Sequence, residues 1–230
     1  MADLLVIAPH PDDAELHAGG LIAAHVRRGA AVAVVDATRG ELASRGDPAT
    51  RAAETAEASR ILGLAARENL DLPDGALRGD DPEARTRVVA AIRRHRPAVV
   101  ITLSGHARHP DHIACAALVR GAVKAAALHR LDAGGPAWAG ARLWCCEAEL
   151  PLAEPLLIPL TSEDWVRKMA AVRAYRSQFA GDGPATSISD PGFLGWIEAR
   201  GRAWGYHAGA PYAEAVSSPE PVRLADLRGL

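Results

Sequence analysis

The chain is short of the residue types that announce a specialised protein. Aromatic residues make up 4% of its 230 positions, so Ala, Leu and Val must fill most of a core that this length can bury without staples. Cysteine is scarce: Cys115, Cys145 and Cys146 are the only three. An odd count without regular spacing excludes a disulfide framework and points to a reducing compartment. Excess charge of either sign is missing, with 26 Lys and Arg against 28 Asp and Glu and a net charge of −2. Nothing therefore advertises a nucleic-acid partner or an anionic membrane. Lysine is nearly absent, represented by Lys124 and Lys168 alone, which reads as biased codon usage. No apolar run approaches the roughly 18 residues of a spanning helix. The opening MADLLVIAPHPDD has no basic stretch and no small-residue cleavage site, unlike a signal peptide. The expectation is a cytoplasmic chain without a nucleic-acid or membrane partner.

What is present is ordinary globular composition, 49% hydrophobic and 23% charged, which excludes a disordered or fibrous chain. Short apolar runs at 4–8, 31–36 and 98–103 read as buried parallel strands, and 68–72 as a weaker one. Helices are expected at 21–28, closed by Gly29, then from Asp47-Pro48 to Gly63, from Asp81-Pro82 to about 94, and over 110–127. HPDDAE (10–15), 38–46 and the Pro73-Asp74-Gly75 turn read as loops. Beyond a Gly134-Gly135-Pro136 break, 143–147 and 156–160 read as strands pairing at the far edge. A helix over 161–178 begins at a Thr161 cap, a loop fills 181–192, and a last helix covers 193–204. The tail after Tyr212 has little periodicity. Regular strand–helix alternation predicts an α/β fold, a Rossmann-like three-layer αβα arrangement with a mostly parallel, doubly wound sheet. One domain is expected over 1–230, with its Rossmann-like core at about 1–130 and further strands and helices at about 140–230.

Ligands of open α/β sheets sit beyond the carboxyl ends of the strands. Two of the strongest strands run into loops that pair His-Pro with Asp: His10-Pro11-Asp12-Asp13 and His109-Pro110-Asp111-His112. Imidazole nitrogen and carboxylate oxygen suit Zn²⁺, or Fe²⁺ in the same site. His10 and Asp13 are three apart in a turn, as are His109 and His112 at a helix start, where Pro110 suits the first helical position. A catalytic zinc site takes three protein ligands and leaves one position open. His10, Asp13 and His112 supply three. Asp12 and His109 are left beside them as a carboxylate to take a proton and an imidazole to stabilise charge. One HPDD alone reads as readily as an ordinary helix cap; two such segments after neighbouring strands favour the metal. Other features read as structural. Gly19-Gly20 lacks the G-x-G-x-x-G of a dinucleotide loop. Adjacent Cys145 and Cys146 suit burial better than a strained disulfide. Cys115 and the five Trp read as packing residues.

The two segments resemble the PIG-L/LmbE-like N-deacetylase superfamily. Thr38-Arg39-Gly40-Glu41, Arg51 with Glu54 and Ala58, Leu72-Pro73-Asp74-Gly75, Arg108 ahead of HPDH, Tyr175-Arg176-Ser177-Gln178-Phe179, Glu198-Ala199-Arg200 and Pro211-Tyr212-Ala213-Glu214 resemble its bacillithiol-biosynthesis branch. Enzymes of that branch remove acetyl from N-acetylglucosaminyl malate. The resemblance implies a zinc-dependent amide hydrolase with a small GlcNAc-type substrate, assembled as a homo-oligomer, often a hexamer. It implies His10, Asp13 and His112 as zinc ligands, Asp12 as general base and protonated His109 as oxyanion stabiliser. Asp111 would hold His109 charged and oriented. Glu41, Arg51 and Asp74 would contact the sugar or its substituent, Arg108 would face the substrate, and Arg51 or Arg108 would fork onto a malyl carboxylate. Two departures stand out: His17, where relatives usually carry Gly, and Ala107, where many carry a polar residue. His17 reads as a surface or packing variant. The rival readings are deacetylation of another GlcNAc conjugate such as a chitooligosaccharide, a thiol-conjugate amidase, and a non-catalytic Rossmann-like binding module.

Overall fold

A computed structural model describes residues 1–180 and 183–222. Seven strands form one sheet: β1 (Leu4–Ala8), β2 (Val32–Thr38), β3 (Ala66–Leu72), β4 (Val99–Leu103), β5 (Arg142–Cys146), β6 (Leu156–Leu160) and β7 (Tyr212–Ser217). Their order is β3-β2-β1-β4-β5-β7-β6. The first five are parallel, and β7 runs antiparallel to both its neighbours. The helices are α1 (Asp13–Arg27), α2 (Pro48–Leu62), α3 (Pro82–His95), α4 (Pro110–Ala126), α5 (Ser162–Ala174), α6 (Arg176–Phe179) and α7 (Phe193–Ala208). This is the expected mostly parallel three-layer α/β arrangement.

Strand alternation divides the core. Leu5 and Ile7 of β1 join Val88, Val89 and Ile92 of α3 and Leu118 and Val119 of α4 on one face. Leu4, Val6 and Ala8 join Leu21 and Ile22 of α1, Ala58 and Leu62 of α2 and Ala171 of α5 on the other. A third cluster, with Leu16, Leu160, Trp165, Ile197 and Tyr212, ties α1, α5 and α7 to the antiparallel end of the sheet. Trp165 stacks on Tyr212 there, ring centroids 4.4 Å apart.

Helix entries follow the expected caps. Asp47 accepts from Ala49 and Thr50 amides, and Asp81 from Glu83 and Ala84. Thr161 and Asp164 form a reciprocal capping box.

Five expectations need correction. Helix α1 starts at Asp13 rather than residue 21, and Gly19-Gly20 lie within it. The paired glycines imitate a loop, yet they serve close packing: a Cβ on Gly20 would stand 2.4 Å from Leu160 Cδ1 and 3.1 Å from the Glu214 carboxyl carbon. The tail after Tyr212 is a strand, β7, whose Tyr212–Val216 stretch is buried on both faces, so no polar alternation marks it. It lies between β5 and β6, which therefore do not pair with each other. The helix expected over 161–178 is broken at Tyr175 (φ −79°, ψ 61°) into α5 and α6, and α7 runs on to Ala208. Of the loop expected over 181–192, residues 181–182 lie outside the described residues, and 183–192 carry no helix or strand. No helix among the described residues is long and apolar enough to cross a membrane.

Candidate metal centre and active site

Strand β1 lies between β2 and β4, where the chain reverses its direction of winding. Its carboxyl end and that of β4 are therefore adjacent, and the two His-Pro loops meet there. His10 Nδ1 lies 3.0 Å and His112 Nε2 3.3 Å from the same atom, Asp13 Oδ2. His10, Asp13 and His112 each offer one ligand atom within 4.8 Å of the others, and so do His10, His109 and Asp111. The first set has a carboxylate behind each imidazole. His10 Nε2 is 3.1 Å from Asp74 Oδ1 and 3.3 Å from Asp111 Oδ2, and His112 Nδ1 is 2.9 Å from Glu149 Oε1. Such outer carboxylates fix the tautomer and orientation of metal-ligating imidazoles. The donors therefore fit a divalent cation of the Zn²⁺ or Fe²⁺ kind.

Asp12 sits beside this set in a backbone conformation that L-residues rarely adopt, φ 111°. Such a conformation costs on the order of 1–3 kcal/mol and persists only when its surroundings enforce it. Arg51 enforces it, donating from Nη1 to the Pro11 carbonyl and, at 3.1 Å, to Asp12 Oδ2. Asp12 precedes α1 yet makes no side-chain capping hydrogen bond, so the ordinary-cap reading of HPDD fails. His109 does cap its helix: its Nδ1 accepts from the Asp111 amide at 3.2 Å, which leaves the proton of a neutral ring on Nε2.

The electrostatics follow from crowding. Burial opposes charge on His10, but hydrogen bonds to Asp111, Asp13 and Asp74 win and push it up to about 12. Burial likewise opposes charge on His112, and Asp13 and Glu149 carry it up to about 10. Burial pushes Asp12 up to about 7 against the pull of Arg51. Burial followed by the charges of His10 and His112 pushes His109 down. The same crowding therefore disfavours the charged form of His109.

The Asp111 carboxylate serves His10 and the amides of Gly75 and Leu77, not His109. Asp74 backs His10 and accepts from the Leu42 amide. Glu41 accepts from the Asp74 and Arg39 amides and does not line the cavity. Arg51 lines the cavity and donates from Nη1 to Pro11 and Asp12, whereas Arg108 is exposed at the cavity mouth. His17, read from the sequence as a surface or packing variant, packs inside. It is buried, with Nε2 3.7 Å from Asp13 Oδ1, and burial pushes it down to about 3. The three cysteines are free, and burial pushes the Cys115 thiol up to about 12.

The cavity above these residues holds about 780 Å³. Residues 5–123 match the PIG-L family, described as GlcNAc-PI de-N-acetylase. The chain belongs to the PIG-L family. It is 31% identical, over 81% of this chain and 86% of the relative, to a 1D-myo-inositol 2-acetamido-2-deoxy-alpha-D-glucopyranoside deacetylase of Geodermatophilus obscurus. It is 42% identical to the conserved protein TT1542 of Thermus thermophilus, whose crystal structure superposes with a TM-score of 0.88 over 98% of each chain. GalB, the 4-carboxy-2-hydroxymuconate hydratase of Pseudomonas putida, shares the fold at 22% identity and a TM-score of 0.79, over 99% of this chain and all of that one. The fold by itself therefore does not choose the reaction.

Within this PIG-L chain, sequence reasoning missed the far wall of the cavity. Glu149 follows β5, the parallel strand next to β4, and reaches His112. Gln178, Thr186, Ser187, Ile188, Phe193 and Trp196 line the cavity from the C-terminal region. A carboxylate just past the end of a parallel strand was the one available signal for Glu149.

Proposed function

We propose that the protein is a divalent-metal-dependent hydrolase that removes the acetyl group from the nitrogen of a GlcNAc conjugate. The observation that carries this reading is Asp13 Oδ2 held between His10 and His112, with Asp12 beside them in the wall of the cavity. His10, Asp13 and His112 would hold the ion, Zn²⁺ or Fe²⁺. When bound, the ion supplies Lewis acidity toward the acetamide carbonyl and the attacking water. Asp12 accepts the proton of that water. Its Oδ2 is engaged by Arg51, so Oδ1 is the basic atom. His109 donates from Nε2 to the oxyanion that forms from the acetyl carbonyl. Asp12 then returns its proton to the departing glucosamine nitrogen, and acetate leaves. Asp111 and Asp74 keep His10 oriented. The free cysteines fit a reducing, cytoplasmic setting.

The relative named for an inositol conjugate favours inositol over L-malate as the aglycone. The test is acetate release from GlcNAc-inositol, GlcNAc-malate, chitobiose and free GlcNAc, with and without a chelator. We expect fastest release from GlcNAc-inositol, loss of activity on chelation and recovery on adding Zn²⁺. Chelator-resistant turnover would remove the metal from the reading, and no release from any GlcNAc compound would remove the deacetylase.

A further inference from the structure

A second cavity of about 590 Å³ adjoins the first, sharing Arg108, Glu149 and Trp196 as lining residues. Glu149 stands on the ridge between them, with Oε1 2.9 Å from His112 Nδ1 and Oε2 accepting from the Arg108 amide at 3.3 Å. One wall is a single face of α7: Trp196, Ala199, Arg200, Ala203, Trp204 and His207 recur at helical spacing. Trp196 and Trp204 are eight residues apart, about 12 Å along the axis, and the small Ala199 and Ala203 leave a floor between them.

Both indoles are braced by polar groups of the same wall. The Arg200 guanidinium lies 4.6 Å from the Trp196 ring centroid. Arg200 also donates to the Ala148 carbonyl and stands 3.4 Å from Glu147. Trp204 Nε1 donates to Glu147, whose carboxylate is buried. The acid and the base of this wall thus satisfy each other and leave mainly apolar surface facing the space. A braced, ring-flanked floor opening directly onto a hydrolytic site suits a flat group carried by the same substrate.

We propose that this second cavity is the aglycone subsite and that it selects GlcNAc conjugates whose aglycone is a six-membered ring with an apolar face, over acyclic ones. The proposal rests on the deacetylase reading and adds the element that chooses the substrate. An acyclic dicarboxylate would meet Arg108 at the junction but leave the Trp-flanked floor uncovered.

The experiment compares kcat/KM for the phenyl, cyclohexyl and methyl glycosides of GlcNAc, in the parent chain and in Ala203→Leu, which raises the floor on an exposed helix face. Burying a ring in an apolar pocket is expected to favour both ring glycosides over methyl by about 10-fold or more. Ala203→Leu is expected to bring that ratio close to one. Because the ratio is read within one preparation, partial misfolding cancels. Equal turnover of all three glycosides in the parent chain overturns the subsite while leaving the deacetylase intact. No release from any of them overturns both. A ratio that survives Ala203→Leu overturns the subsite, and if that substitution instead changes the oligomeric state by light scattering, the cavity belongs to a contact between copies.

Discussion

Strands β3, β2, β1, β4 and β5 run parallel and deliver their following loops to one edge of the sheet, whereas β7 and β6 close the other side antiparallel. The two halves divide the labour. The parallel half supplies His10, Asp12, Asp13, His109 and His112, all on backbone set by a strand end or a helix start. The antiparallel half supplies support and walls. Glu214 of β7 accepts from the Gly20 and Leu21 amides at 3.0 and 2.6 Å and from Lys168 Nζ at 2.6 Å, all in the buried interior. Helix α7 and the loop ahead of it wall the cavities. The difference teaches that reactive geometry can be local to two loops while the helix fixing one of them is held from the far end of the chain.

This division of labour is open to test, and the largest effect should come from the parallel half. Asp12→Ala should cut kcat by about 10²–10⁴ while metal content by elemental analysis stays stoichiometric; unaltered turnover would take the base away from Asp12. The antiparallel half should answer in stability. Glu214→Gln leaves the Lys168 ammonium buried without its counter-charge, a loss of about 3–5 kcal/mol. Calorimetry should then record a fall in melting temperature on the order of 10 °C. A melting temperature within a degree or two of the parent would show that β7 does not brace α1.

The smallest effect concerns the start of α5. Thr161→Ala should cost about 1 kcal/mol through the lost cap. The partner acid gives this region a pH signature. Burial would raise Asp164, but hydrogen bonds from Arg27 and Thr161 prevail and hold it down at about 2. A carboxyl group depressed in the folded state stabilises above its unfolded value near 4 and loses that contribution as the pH falls toward 2. Denaturant melts at pH 6 and pH 3 should show Asp164→Asn converging with the parent at the lower pH; a constant gap would sink the ion-pair account.

Legibility followed the same divide. The strands at 4–8 and 98–103 were readable because both faces are covered, giving short continuous apolar runs, and a His-Pro loop follows each. The metal-ligand candidates followed from that adjacency. What the residues could not disclose was the pairing of side chains across loops. Asp111 lies two positions from His109 in sequence, and its carboxylate reaches instead to His10. Arg51 is forty positions from Pro11, and only the packing of α2 reveals that it clamps the turn. Helix α1 was misplaced because Gly19-Gly20 imitate a loop, and β7 went unseen because its one acid, Glu214, is buried. In both cases a tertiary contact overrides the local signal.

The insertion of β7 between β5 and β6 has a consequence for synthesis on the ribosome. A nascent chain that has emerged only as far as β5 already carries both His-Pro segments and every parallel strand. The amides of Gly20 and Leu21 still wait for Glu214, as the Lys168 ammonium will once α5 follows. Cotranslational assembly can therefore build the nucleus of the sheet early, but α1, and Asp13 with it, is clamped only when the final strand slots home.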